Sequence, residues 1–290
     1  MKITLSALFL LCLTLTPQAF SWNAVGHRLI AQIAYVNLSR HAKITFNRYN
    51  RSLDQGYMSK SIVNASIWLD TIRWRTHEYD AMHYIDIPFS TDGTRLPVLD
   101  PTNAASAVDA STRMLSDPYL NNMEKGKALR ILVHVVGDIH QPLHAATRVS
   151  RDFPEGDRGG NLVVIHKNRI ANNLHAFWDK GAGLFVGKRR YGQAWIKRKA
   201  FDIEQQYPCN LMTVDLNAMH WAEESNALAR QKVYLLPIDK QYQGVAQHII
   251  EQRIALAGCR LAGLMNQIDL LSDSMIAPKN RVASPPVMAR

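Results

Sequence analysis

Histidine and aspartate recur in this chain at spacings suited to metal chemistry. The runs are W-N-A-V-G-H (Trp22–His27), D-T-I-R (Asp70–Arg73), M-H-Y-I-D (Met82–Asp86), H-V-V-G-D-I-H-Q-P-L-H (His134–His144) and N-L-H-A-F-W-D (Asn173–Asp179). Two of them contain H-x-x-x-D, as His134 with Asp138 and His175 with Asp179. Residues four apart lie on one face of an α-helix, so each pair aims an imidazole and a carboxylate at a common point. Nitrogen and oxygen donors without thiolate are the ligand set of a catalytic zinc site, not a structural one.

A single pair of this kind could be an ordinary helix-surface contact. Here both pairs sit among apolar residues, with Ile131–Val133 before one and Leu174 and Phe177 around the other. Charge pointing into a core needs a compensating partner, and a metal cluster supplies one. His41, His77, His166, His220 and His248 lack ligand-like neighbours and read as structural.

The elements that must position these groups are helices. Asn23 can cap a helix whose apolar face holds Val25, Leu29, Ile30, Ile33 and Val36. Ser61–Arg73, Asn103–Leu115 and Lys125–Ile139 repeat apolar residues at helical spacing, and Pro142 ends or bends the last. Two long amphipathic stretches follow, about Thr213–Tyr234 and Gln241–Leu271. Asn161–His166 alternates like a strand, with Arg169-Ile170 as its return, which predicts one small β-hairpin. The chain reads as all-α, one mainly helical domain over residues 22–276, with 277–290 as a loose Pro-containing tail.

Residues 1–21 read as a secretory leader, with Lys2, an apolar Leu5–Leu15 and a small-x-small Ala19-Phe20-Ser21 cleavage site. Its apolar core is too short to span a bilayer. No later segment is expected to do so either; the most apolar, Ile131–Ile139, is interrupted by His134 and Asp138. The expectation is a secreted or periplasmic protein that begins at Trp22, without stable membrane association. Cys12 leaves with the leader, and Cys209 with Cys259 fits one disulfide in an oxidising compartment, the alternative being two separate buried thiols. The net charge of +10 favours a polyanionic partner, although solubility alone accounts for many basic exported proteins.

Taken together, the motifs resemble the secreted trinuclear-zinc single-strand nucleases, the family of the fungal S-one and P-one nucleases and the plant bifunctional nucleases. The similarity runs from Trp22 to about Leu271 and includes W-x-x-x-G-H, D-x-x-R, H-Y-I-D, H-x-x-G-D-x-H-Q-P-L-H, D-R-G-G-N (Asp157–Asn161), N-L-H-x-x-W-D and W-A-E-E-S (Trp221–Ser225). It implies the phospholipase C/P-one nuclease-like fold and three zinc ions. One would take Asp70, His83, His134 and Asp138. A second would take His27 and the α-amino nitrogen and carbonyl oxygen of Trp22, with Asp138 as the bridge to the first. The third would take His144, His175 and Asp179. An α-amino group must lose its proton to bind metal, and a precursor with an amide there cannot offer that lone pair.

The resemblance further implies hydrolysis of single-stranded DNA and RNA to 5′-phosphorylated products by zinc-activated water, with 3′-nucleotidase activity on 3′-nucleotides, by a monomer. Arg73 would stabilise charge developing on the phosphate, and Asp86 would orient Arg73 or the water. Tyr84 would stack on a base, with Asn161 hydrogen-bonding to it. His140 is left out of the ligands. Two other readings are a zinc-dependent phospholipase C, whose last pair is H-x-x-x-E where this chain has Asp179, and a non-catalytic zinc or nucleic-acid-binding module. Against the latter, His-rich tracts are absent.

Overall fold

The computed structural model describes residues 22–54, 60–186 and 191–276; the leader and the C-terminal tail expected from the sequence lie outside them. Among the described residues ten α-helices dominate, and the core is a continuous apolar cluster drawn from nearly all of them. Helix α1 (Ala24–Asn37) is capped by Asn23, whose side chain accepts from the amides of Val25 and Gly26. It buries Leu29, Ile30 and Ile33 but leaves Val36 at the edge of the core, 49 % exposed. Asn103 caps α5 (Ala104–Ser116) and Asn121 caps α6 (Asn122–Ile139), each through a reciprocal capping box. Helix α6 is buried along almost its whole length, packed between α5 and α2 (Arg40–Ser52). Pro142 ends it in a short 3-10 turn, Pro142–His144.

The predicted Ser61–Arg73 helix is broken into α3 (Ile62–Ala65) and α4 (Trp68–Ile72). The break falls where the Ser66 carbonyl turns to accept a hydrogen bond from His134 Nδ1 at 2.7 Å. Helix α7 (Leu174–Asp179) is short, and its cap is Asn173 of the N-L-H-A-F-W-D run. Helices α8 (Gln193–Gln206) and α9 (Ala218–Leu228) follow, and a π-helical turn, Ala229–Val233, extends α9.

Helix α10 (Lys240–Ile276) packs along α1. Contrary to the sequence expectation, its Lys240–Ser272 portion is long and apolar enough to cross a membrane. Within that portion, 72 % of the most apolar window is buried inside the protein, so it serves as a core helix. Helices α2 and α8 had no clear sequence signal because charged and polar residues dominate both, and each buries only a narrow stripe.

The expected hairpin at Asn161–Ile170 is reduced to a single antiparallel bridge, Val164 with Asn173. The chain turns at Lys167 and returns through Ala171–Asn173, where the Ile165 amide donates to Asn172 and the Leu174 amide to Val163. The regular two-stranded sheet lies elsewhere and is parallel, β1 (Pro88–Ser90) with β2 (Thr147–Val149). It ties the chain just after the H-Y-I-D run to the chain just after His144. Cys209 and Cys259 are bonded, joining the loop after α8 to α10.

Candidate metal centre

Six pieces of chain converge on one buried cluster. They are α1 (His27), α4 (Asp70), the 3-10 turn Asp80–His83 (His83), α6 (His134, Asp138), the Pro142–His144 turn (His144) and α7 (His175, Asp179). Close approach of α1 to α6 depends on Gly137, where a Cβ would come within 2.9 Å of the His27 ring. On the other side of that glycine, the buried Trp22 indole donates to the Gly137 carbonyl at 3.0 Å. The Asn23 amide donates to the Asp179 carbonyl, pinning the start of α1 to the end of α7.

The donor atoms face one another at ligand-to-ligand distances. His83 Nδ1 lies 3.0 Å from Asp138 Oδ2 and 3.8 Å from Asp70 Oδ1. His134 Nε2 lies 3.3 Å from Asp138 Oδ2, 3.6 Å from Asp70 Oδ1 and 3.1 Å from His83 Nδ1. Four ligands arranged tetrahedrally at about 2.0–2.1 Å from a zinc ion are separated by about 3.3 Å, which these edges bracket. His27 Nε2 approaches the other carboxylate oxygen, Asp138 Oδ1, at 3.3 Å, while its ring stacks on His134. Asp138 thus faces two donor groups with its two oxygens. His27 also shares a potential three-donor set with Asp70 and His134. In the third group, His144 Nε2 is 3.1 Å from His175 Nε2, and Asp179 approaches them at 3.8 and 3.4 Å.

The opposite ring nitrogens decide what these imidazoles can do. His134 Nδ1 donates to the Ser66 carbonyl, His144 Nδ1 to the His83 carbonyl at 2.6 Å, and His175 Nδ1 to the Gly159 carbonyl at 2.7 Å. A carbonyl only accepts, so each Nδ1 carries the hydrogen and each Nε2 turns its lone pair inward, as in metal-ligating histidines. Asp70 Oδ1 is buried with no hydrogen-bond partner among the described residues, a cost that a cation would remove. The donor set fits a metal.

Electrostatics agree. Burial opposes charge on His134, but the Asp138 and Asp70 carboxylates outweigh it and push this imidazole up to about 9. His144 is likewise pushed up to about 9, against burial, by Asp179 and Asp138. Asp138 is held well below the carboxylate range: burial would raise it, but His134 and the neighbouring imidazoles outweigh that. Burial pulls His27, His83 and His175 down. The carboxylates thus favour positive charge at His134 and His144, as they would favour a cation there.

A family model described as S1/P1 Nuclease matches residues 22–269. The chain belongs to the S1/P1 nuclease family. As a member of it, the protein is a nuclease, a hydrolase acting on nucleic acid. It is 26 % identical to Nuclease P1 of Penicillium citrinum, over 85 % of this chain and 97 % of that one. It is 24 % identical to Nuclease S1 of Aspergillus oryzae, over 88 % and 94 % respectively. Endonuclease 2 of Arabidopsis thaliana is 25 % identical, over 87 % and 92 %.

Arg73 Nε donates to Asp80 Oδ1 at 3.0 Å. Asp86 is pushed up to about 7 by burial, with His144 and Asp157 as its charged neighbours. Tyr84 is 40 % exposed beside His83. Asn161 donates through Nδ2 to the Arg158 carbonyl. His140 points away from the cluster, donating through Nδ1 to Val136 and accepting through Nε2 from Arg260.

Supporting residues that spacing did not single out are Gln141, whose amide donates to Asp179 Oδ1 at 2.8 Å, and the Ser66 and Gly159 carbonyls. Gln141 lies inside the H-Q-P-L-H run, but nothing in the sequence indicates that its amide reaches α7. The W-A-E-E-S run acts at a distance: Ser225 donates to the Ile139 carbonyl, and Glu224 holds Arg253 and Arg260, with Arg253 also donating to the His140 carbonyl.

Proposed function

We propose that this nuclease is an exported zinc enzyme, mature over residues 22–276 after loss of the 1–21 leader. It would cleave single-stranded DNA and RNA to 5′-phosphorylated products and remove phosphate from 3′-nucleotides. The observation that carries this reading is the set of inward-facing Nε2 lone pairs on His134, His144 and His175, each fixed by a carbonyl on the far side of its ring. Asp70, His83, His134 and Asp138 would hold one ion. His27 and the Trp22 amino and carbonyl groups would hold another through the shared Asp138, and His144, His175 and Asp179 a third. Zinc, when bound, supplies Lewis acidity and lowers the pKa of water to near neutrality.

The chain's own residues do the remainder. Arg73, whose Nε donates to Asp80, would bring its guanidinium charge to a phosphate and meet charge developing there. Asp86, pushed up to about 7, can accept or release a proton close to neutral pH. Tyr84 offers an exposed ring for a base beside the cluster, and Asn161 a polar group for its edge. The chain acts as a monomer without stable membrane association.

The test is a substrate panel with the mature protein: single-stranded DNA, RNA, 3′-AMP and a phosphatidylcholine analogue, with and without chelator. Release of 5′-phosphorylated nucleotides that stops on chelation is expected. Phosphocholine release without nucleotide release would contradict the reading.

A further inference from the structure

Just past the ligand helix α4 stands an aromatic ring the site described above does not use. Trp74 is 75 % exposed. The helical turn continues beyond Ile72, with the Arg75 and Thr76 amides both donating to the Ile72 carbonyl. Trp74 therefore follows Asp70 by four residues, in the turn that continues α4. The Arg75 guanidinium packs 4.4 Å from the centre of the indole ring. Among the described residues, the Arg75 side chain has no carboxylate partner. Other rings that carry a cation, such as Tyr49, Tyr79 and Trp221, are buried and structural. Here the ring is open and its cation is free.

We infer that Trp74 and Arg75 form a stacking subsite for an unpaired base of the nucleic-acid strand, flanking the linkage that is cleaved. An indole with a cation behind one face can offer the other to any base, because every base has a π-face. The same guanidinium can reach the strand's phosphates with a planar fork, and the charge of +10 suits a polyanion. Arg73 lies between this ring and Asp70 in sequence, and Tyr84 stands beside the cluster through His83, so the two rings would hold different nucleotides. The subsite makes cleavage depend on strand length, since a substrate too short to reach Trp74 gains nothing from it. It rests on the nuclease reading of the cluster.

The test compares a thymidine dinucleotide with an octanucleotide, using zinc-loaded wild type, Trp74→Ala, Trp74→Phe and Arg75→Ala. Trp74→Ala should raise KM for the octanucleotide about tenfold, a typical loss for one base stack, with kcat unchanged. KM for the dinucleotide should not move, Trp74→Phe should restore most of the loss, and the Arg75→Ala effect should fade with added salt. Equal KM changes on both substrates, or none on either, would overturn the subsite while leaving the nuclease reading intact. If wild type cleaves neither oligonucleotide, that reading falls and the subsite with it. Sedimentation with phosphatidylglycerol vesicles, lost in Trp74→Ala without any KM effect, would assign the ring to a membrane surface instead and overturn the proposal.

Discussion

The inward lone pairs of His134 and His144 compete with protons, and the competition has a definite sign. Both imidazoles are pushed up to about 9 from an ordinary 6.5 because carboxylates face them. In the metal-free protein they contribute stability that is full below about 6.5 and lost as pH rises through about 9. A metal needs the neutral ring, so below pH 9 each ion displaces a proton, and its affinity falls about tenfold per unit of acidification. The melting temperatures of loaded and chelated protein should therefore draw apart between pH 6.5 and 9, as calorimetry can measure. A constant difference would contradict this account. At this scale the sequence was partly legible: the pairs His134 with Asp138 and His175 with Asp179 were identifiable from type and spacing, whereas His27, Asp70, His83 and His144 entered through the family resemblance. The Asp80 partner of Arg73 was not legible, because an ion pair seven residues apart across an irregular turn leaves no periodic signature.

Elements position the donors through backbone carbonyls as much as through helix faces. The D-R-G-G-N run shows how. Arg158, Gly159 and Gly160 all take positive φ, and the buried Asp157 carboxylate holds that loop by accepting from the amides of Arg148 and Gly160 and from the Tyr234 hydroxyl. This aims the Gly159 carbonyl at His175. A Cβ at Gly159 would collide with the Leu143 carbonyl and crowd His175 Nδ1, on top of an unfavourable φ of 58°. Gly159→Ala should cost about 1–3 kcal/mol in chemical denaturation and weaken metal binding at the His175 group. Gly244→Ala, inside helix α10 with nothing within 4 Å of the added carbon, should do neither. Equal behaviour of the two variants would argue against the loop's role. The long periodic helices were readable in advance, whereas the α3–α4 break and the reduced hairpin were not. Both depend on which carbonyl a distant histidine or loop claims, and periodicity carries no such information.

Across the whole molecule, a mainly helical core carries the cluster between α1, α6 and α7, and α10 closes the far side through α1. The bond between Cys209 and Cys259 spans 50 residues and fixes the loop after α8 to α10. Replacing both cysteines with serine should lower stability by about 2–4 kcal/mol while leaving metal content and kcat unchanged. Loss of metal along with stability would show that the two regions are coupled.

Asp138 is where the account is most exposed, because one buried carboxylate faces His27 with one oxygen and His83 and His134 with the other. The decisive measurement is zinc content, by elemental analysis alongside the rate on single-stranded DNA, in wild type and Asp138→Asn. Three zinc ions per wild-type chain are predicted, with one retained in the variant at His144, His175 and Asp179 and a rate lower by more than about a hundredfold. An Asp138→Asn protein that keeps all its metal and cleaves at the wild-type rate would contradict the account.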